Sequence, residues 1–200
     1  MKSTLHKFWI RLVYSKNLDH TAYNDILELC YNNQENTNYS TDWERHHNSL
    51  LYALMKQNRF SKENGGMVLL YADEKLIATS GYNRSQFDDN VFLLGGRTLV
   101  DKHYRNNQLV SSYIIPTQIN ESKKLNAKIV AFTFDVSNKF SLYNVFINNK
   151  LNLLLKNNLF GIYEKLQALD YPINIYNTEQ NVLYINLENY SYDWTQLYKP

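Results

Sequence analysis

The sequence predicts an α/β (α+β) chain built on a mixed, mostly antiparallel central sheet flanked by helices. Three observations lead there. Three strand-like runs succeed one another between residues 67 and 100, the first two joined only by Asp73-Glu74, which reads as an antiparallel meander. On both sides of this meander, apolar residues recur at helical spacing. After the second helical stretch comes a short unbroken apolar run, KIVAFTF at 128–134, the pattern of a buried strand lying parallel to the one before it.

Taken in order, residues 8–14 (FWIRLVY) read as a strand rich in aromatic and β-branched side chains. Tyr23, Ile26, Leu27 and Cys30 mark one apolar helix face. After a polar loop at 32–40, Thr41-Asp42-Trp43-Glu44 forms a capping box, and Trp43, His47, Leu50, Leu51 and Leu54 make the inward stripe of a second helix. Asn64-Gly65-Gly66 breaks the chain before the meander strands, expected at 67–72, 75–82 and 90–100. Gly95-Gly96 lies inside the third: either a bulge that splays the sheet to admit a ligand, or a simple bend.

A helix opening at about Gln108 follows, with Val110, Tyr113, Ile114 and Thr117 inward and a kink expected at Pro116. Beyond the run at 128–134, Asn138 caps a helix carrying Phe140, Tyr143, Phe146 and Ile147. One extra helix is expected over 151–169, before a C-terminal hairpin of strands 173–176 and 182–187. Tyr190, Tyr192 and Trp194 are expected to pack on that hairpin. With no internal repeat and no linker, residues 1–200 read as a single domain.

Composition narrows the function classes. A chain of 200 residues can bury about 70% of its unfolded surface and needs no covalent staple. Net charge is only +2, and the lysines at 123, 124 and 128 read as a solvated helix end, which speaks against a nucleic-acid partner. Cys30 is the only cysteine, so neither an internal disulfide nor a thiolate metal cluster can form. His46 and His47 are adjacent and lack metal-ligand spacing, so no metal is expected. No run approaches 18 apolar residues and residues 1–7 lack an apolar signal core, so no membrane partner and a cytoplasmic location are expected. Neither a nucleotide-binding P-loop nor a dinucleotide fingerprint occurs.

The segment after the third meander strand carries the most specific signal. The strand ends in Arg97-Thr98-Leu99-Val100, a basic turn Lys102-His103-Tyr104-Arg105-Asn106-Asn107 follows, and a helix begins. A helix start leaves its first N–H groups unpaired and carries partial positive charge, which suits phosphate. This strand, turn and helix, with the element order around it, resembles the GNAT acyltransferases over most of the chain, from Phe8 to Leu187.

The family's pattern here is a hydrophobic residue, x-Pro-x-Tyr-Arg, then x-x-Gly-x-Gly/Ala. Val100, Tyr104 and Arg105 match it; Lys102 replaces the proline, and Gln108 and Val110 stand at the glycine positions, with aliphatic Leu109 between them. The resemblance implies that Leu99, Val100, Arg105, Asn106, Asn107, Gln108, Leu109, Val110 and Asn138 bind the cofactor, acetyl-CoA or another acyl-CoA. It also implies a catalytic tyrosine that protonates the departing thiolate, for which Tyr143 is the nearest candidate.

Transfer to an amine further needs a base, and Asp101, Asp135 and His103 lie at the ends of the two central strands or beside the turn. Tyr31, Tyr39 and Trp43 fall where the family forms its acceptor pocket. The implied function is an N-acyltransferase acting on a small-molecule or protein amine. The alternative is a GNAT-fold binding or interaction protein without catalysis, to which the replaced glycines point. The abundant aromatics fit a homodimer.

Overall fold

A computed structural model describes residues 7–33, 61–105, 107–137, 143–144, 163–175 and 178–197. An eight-stranded sheet runs in the order β1-β2-β3-β4-β5-β8-β6, with β7 also paired to β8. The first four strands are β1 (Phe8–Val13), β2 (Gly65–Ala72), β3 (Lys75–Arg84) and β4 (Val91–Val100), and all their pairings are antiparallel. β5 (Ile129–Asp135) lies parallel to β4, the single parallel pair of the sheet. β8 (Thr178–Asn186) then runs antiparallel along the whole of β5. Its outer edge is shared by β6 (Leu166–Ala168) and β7 (Ile173–Ile175).

β2 shows why the meander reads so clearly. Every residue of this strand is buried, because both faces of the sheet are covered. Met67, Leu69 and Tyr71 pack with Ile26, Leu29 and Cys30 of α1 (His20–Asn32). Val68, Leu70 and Ala72 pack on the opposite face with Ile114, Ile115 and Ile119. The last two belong to α2 (Ile115–Lys124), so the sheet sits between two helical layers.

Asp19 caps α1, accepting the Ala22 N–H at 2.9 Å and pairing with Arg11 at 2.6 Å. The buried face of α1 is Ala22, Ile26, Leu29 and Cys30; Tyr23 and Leu27, expected inward, are only half-buried. The helix has turned so that small Ala22 meets the sheet where a tyrosine ring would not fit. Burial pushes the Cys30 thiol up to about 12, so it is an inert core group.

α2 is preceded by a π-helical turn, Val110–Ile114, in which Ile115 N–H reaches back five residues to Val110 O. The cause is Pro116. It has no N–H, so the α ladder cannot run through it, and Thr117 Oγ1 donates to Tyr113 O at 2.7 Å. The kink expected at Pro116 is therefore a change of helical register.

The C-terminal third departs most from expectation. Residues 163–169 are not helical as expected: Tyr163–Lys165 is a 3-10 turn and Leu166–Ala168 is a strand against Leu183, Tyr184 and Ile185. Leu166 is buried and Gln167 exposed, so the segment alternates as a strand does while β8 offers it a free edge. The hairpin closes more tightly than expected, with Ile175 opposite Thr178. Tyr190, Tyr192 and Trp194 pack on this end, Trp194 against Tyr184 with ring centroids 4.6 Å apart. The second helix with its capping box, residues 151–162 and Asn138 lie outside the described residues. Among the described residues no helix is long and apolar enough to cross a membrane.

Ile26, fully buried under α1, should set the strength of that layer. Ile26→Ala is expected to cost about 2–5 kcal/mol and Ile26→Val about 0.5–1.5 kcal/mol, read from urea unfolding. Equal losses for the two would mean that α1 does not pack on β2.

Candidate functional site

β4 and β5 pair only from Val91↔Ile129 to Leu94↔Phe132. Beyond that point each strand keeps its other neighbour. β4 continues beside β3 to Val100↔Ala78, and β5 continues beside β8 to Asp135↔Gln180. The two central strands therefore part, and the parting begins at Gly95, whose φ is +81°. Here the register of β3 against β4 slips on both sides of Gly81, which lies opposite Gly96. Of the two sequence-level meanings of Gly95-Gly96, the bulge is the one that forms.

The turn after β4 is held by polar contacts that sequence reasoning missed. Asp101 caps a 3-10 turn, Lys102–Tyr104, by accepting the His103 N–H at 2.9 Å. Its other oxygen takes Lys75 Nζ at 2.7 Å. Asn33, buried at the end of α1, accepts the Lys102 N–H at 2.8 Å and Arg105 at 3.4 Å. Arg105 also donates through Nε to Val100 O at 3.1 Å. A buried asparagine following a helix was the available signal, but its partners lie more than 65 residues away in the chain.

At the start of the helix, Gln108 has φ +56°, a left-handed backbone that costs a non-glycine residue about 1–2 kcal/mol. It stands where the family pattern carries glycine. No side chain caps the helix at Leu109. A helix start carries partial positive charge, which suits an anion. Leu109 is buried, and Val110 packs partly buried, in the same apolar cluster as Leu94 and Phe132. Val110 thereby turns its bulk into the core, and the helix start is fixed beside the parting strands.

The remaining expected site residues are distributed as follows. Leu99 is buried on the α1 side and Val100 packs on the α2 side. Asn107 is exposed. Tyr143 is half-buried against the cluster holding Leu94 and Phe132. Asp135 accepts both the backbone N–H and the hydroxyl of Ser137. His103 and Tyr31 are exposed, Tyr31 near the end of α1. Asn106, Asn138, Tyr39 and Trp43 lie outside the described residues. No cluster of His, Cys, Asp and Glu among the described residues could hold a metal ion.

Asp101 is 2% exposed and lines a small, open polar hollow with Asp25, Glu28, Glu74 and Lys75. Burial works to raise its pKa, but the Lys75 ammonium and the His103 N–H outweigh it and hold the carboxyl below the usual carboxylate range. A carboxylate so stabilised is a weak base. Its geometry is that of a cap and an ion-pair partner.

Two outcomes are expected. Because Asp101 is held below its unfolded value of about 3.9, its contribution is present at neutral pH and lost as pH falls through the folded value. The stability gap between wild type and Asp101→Asn should be wide at pH 7 and close below about pH 4; a gap independent of pH would remove the ion-pair role. Gly95→Ala should cost about 1–2 kcal/mol because of its left-handed φ. Gly96→Ala should be near neutral, its added carbon meeting Gly81 O only at 3.8 Å. Equal effects would argue against the bulge.

No family profile and no curated protein matches this chain by sequence. Solved structures do match it. An acetyltransferase of the GNAT family from Staphylococcus aureus aligns with TM-score 0.55 and 18% identity, over 90% of this chain and 100% of that one. YncA of Salmonella typhimurium, solved with its cofactor acetyl-CoA, aligns at 0.56 and 8% identity, over 92% and 96%. The ribosomal-protein-S18-alanine N-acetyltransferase of Escherichia coli aligns at 0.54 and 11% identity, over 93% and 100%. The parallel pair that parts at a bulge and the helix start beside it therefore sit on a mixed, mostly antiparallel sheet that is the fold of the GNAT acetyltransferases.

Proposed function

We propose that this protein is a divergent N-acyltransferase that takes an acetyl or other acyl group from coenzyme A and passes it to an amine, on a small molecule or a protein. The observation that carries this reading is the parting of β4 and β5 at Gly95, beside a helix start that no side chain caps. The fit to the cofactor rests on backbone. Gln108 adopts the left-handed conformation for which the family pattern uses glycine, which supports a phosphate seat at this turn.

On this reading, the backbone from Asn107 to Val110 holds the pyrophosphate, with Asn106 in the same turn. Arg105 adds positive charge while two of its nitrogens brace Val100 and Asn33. The bulged backbone at Gly95 and Gly96, released from β5, polarises the acyl carbonyl. Leu99 and Val100 are assigned to the cofactor's strand wall, and the family pattern adds Asn138 to the cofactor-binding set. Coenzyme A, when bound, supplies a thioester already activated for attack. Tyr143, packed against the cluster beneath the parting, is assigned to protonate the thiolate.

The second reading, a GNAT-fold binding protein without catalysis, is favoured by Arg105 and Asp101, both tied into the structure of the turn. Thermal unfolding with acetyl-CoA separates the two. At about a hundred times Kd, a ligand adds about 2.7 kcal/mol, a rise of roughly 5–10 °C in Tm for a domain this size. Gln108→Gly should keep or enlarge the rise, since glycine adopts the same backbone freely. Gln108→Val should abolish most of it, since a β-branched residue resists φ above zero. No rise for wild type up to millimolar acetyl-CoA would leave the binding-protein reading in place.

A further inference from the structure

Gln118 is completely buried on the sheet-facing side of α2, between apolar Ile115 and Ile119. Its Nε2 donates to Ser80 Oγ and to Gly81 O, each at 2.9 Å. Gly81 O can only accept, which fixes the amide with its nitrogen toward β3. Ser80 Oγ lies 2.7 Å from Thr98 Oγ1, and Thr98 Oγ1 donates to Gly95 O at 2.8 Å. A hydroxyl has one proton to give. That of Thr98 goes to the carbonyl, so Ser80 is the donor to Thr98. The result is one directed chain: Gln118 Nε2 to Ser80, Ser80 to Thr98, Thr98 to Gly95 O.

Both ends of this chain fall on irregular backbone. Gly81 is where the register of β3 slips, and Gly95 is the left-handed residue at which β4 leaves β5. One amide thus pins both bulges. It does so although Gln118 Oε1 is buried without a hydrogen-bond partner. A leucine would fill the same space without that penalty, so packing does not account for the amide; its two donors do.

We propose that Gln118 is a positioning residue for the acyl-transfer site. Acting through Ser80 and Thr98, it fixes the direction of the Gly95 carbonyl. The peptide between Gly95 and Gly96 is trans, so fixing that carbonyl also fixes the Gly96 N–H on its opposite side. The bulge is thereby held in the shape that receives an acyl carbonyl, and this part of the proposal rests on the acyltransferase reading above.

The test uses Thr98→Val, Thr98→Ser and Gln118→Leu in the whole chain. In amide proton–nitrogen NMR spectra without ligand, Thr98→Val and Gln118→Leu should each move the Gly95 and Gly96 resonances, and Thr98→Ser should leave them near wild type. In calorimetry, wild type should bind acetyl-CoA more tightly than coenzyme A. Thr98→Val and Gln118→Leu should lose about tenfold of that preference, the worth of about one hydrogen bond, while affinity for coenzyme A holds. Thr98→Ser should retain the preference.

Unmoved glycine resonances, or an intact preference in Thr98→Val, would overturn the proposal while leaving the acyltransferase reading standing. A wild type that binds neither ligand would overturn that reading and the positioning role with it. Thr98 is exposed, so its variants carry the test even if Gln118→Leu fails to fold.

Discussion

The two halves of the sheet are joined by the short parallel ladder between Val91–Leu94 and Ile129–Phe132, and the remaining architecture depends on where that ladder stops. Everything from β1 to β4 lies on one side of it and everything from β5 to β8 on the other. Hydrogen bonds there are directional, so once β4 bends at Gly95 they cannot be made. Apolar contact has no such requirement. One cluster spans the junction, taking Val68 and Leu70 from β2, Phe92 and Leu94 from β4, Phe132 from β5 and Leu183 from β8. The halves share this apolar cluster although their backbones pair only over four residues.

The turn that follows β4 is organised by the same economy of roles. Its charged side chains face inward to structure: Asp101 to Lys75 and the His103 N–H, Arg105 to Val100 and Asn33. Asn33 also holds the Lys102 N–H and caps its own helix by donating to Leu29 O at 2.8 Å. The end of α1 and the turn are therefore one rigid unit. The helix that follows begins with a π turn rather than an α turn because Pro116 withholds an N–H.

That explains what the sequence revealed and what it concealed. The meander and the parallel strand were legible because two-sided burial writes continuous apolar runs such as those of β2 and β5. On α1, Ile26 and Cys30 were legible, but Tyr23 and Leu27 stood in for Ala22 and Leu29, because Ala22 is too small to stand out against Tyr23. β6 was read as helix because Ile162 and Leu166 continue a helical spacing, and the free edge of β8 makes that segment a strand. Arg105 was visible through its motif, but its bracing role was not, because Asn33 is 72 residues away. Nothing in the sequence marks Gln118, because its partners Ser80 and Gly81 lie on another element.

Gln108 shows what a glycine pattern encodes. The pattern is written in residue type, but the physical requirement is a left-handed backbone with room for an anion. Glycine meets it without strain, and any other residue meets it at a cost that the surroundings must offset. Here the surroundings are identifiable. Leu109, the next residue, is buried in the central cluster, and Gln108 O accepts both the Ser112 N–H at 2.9 Å and the Ser111 hydroxyl at 2.8 Å. The helix is thus anchored on both its apolar and its polar side at the point of strain. A backbone conformation held by such anchors does not require glycine, which is how Gln108 takes a left-handed φ in this turn.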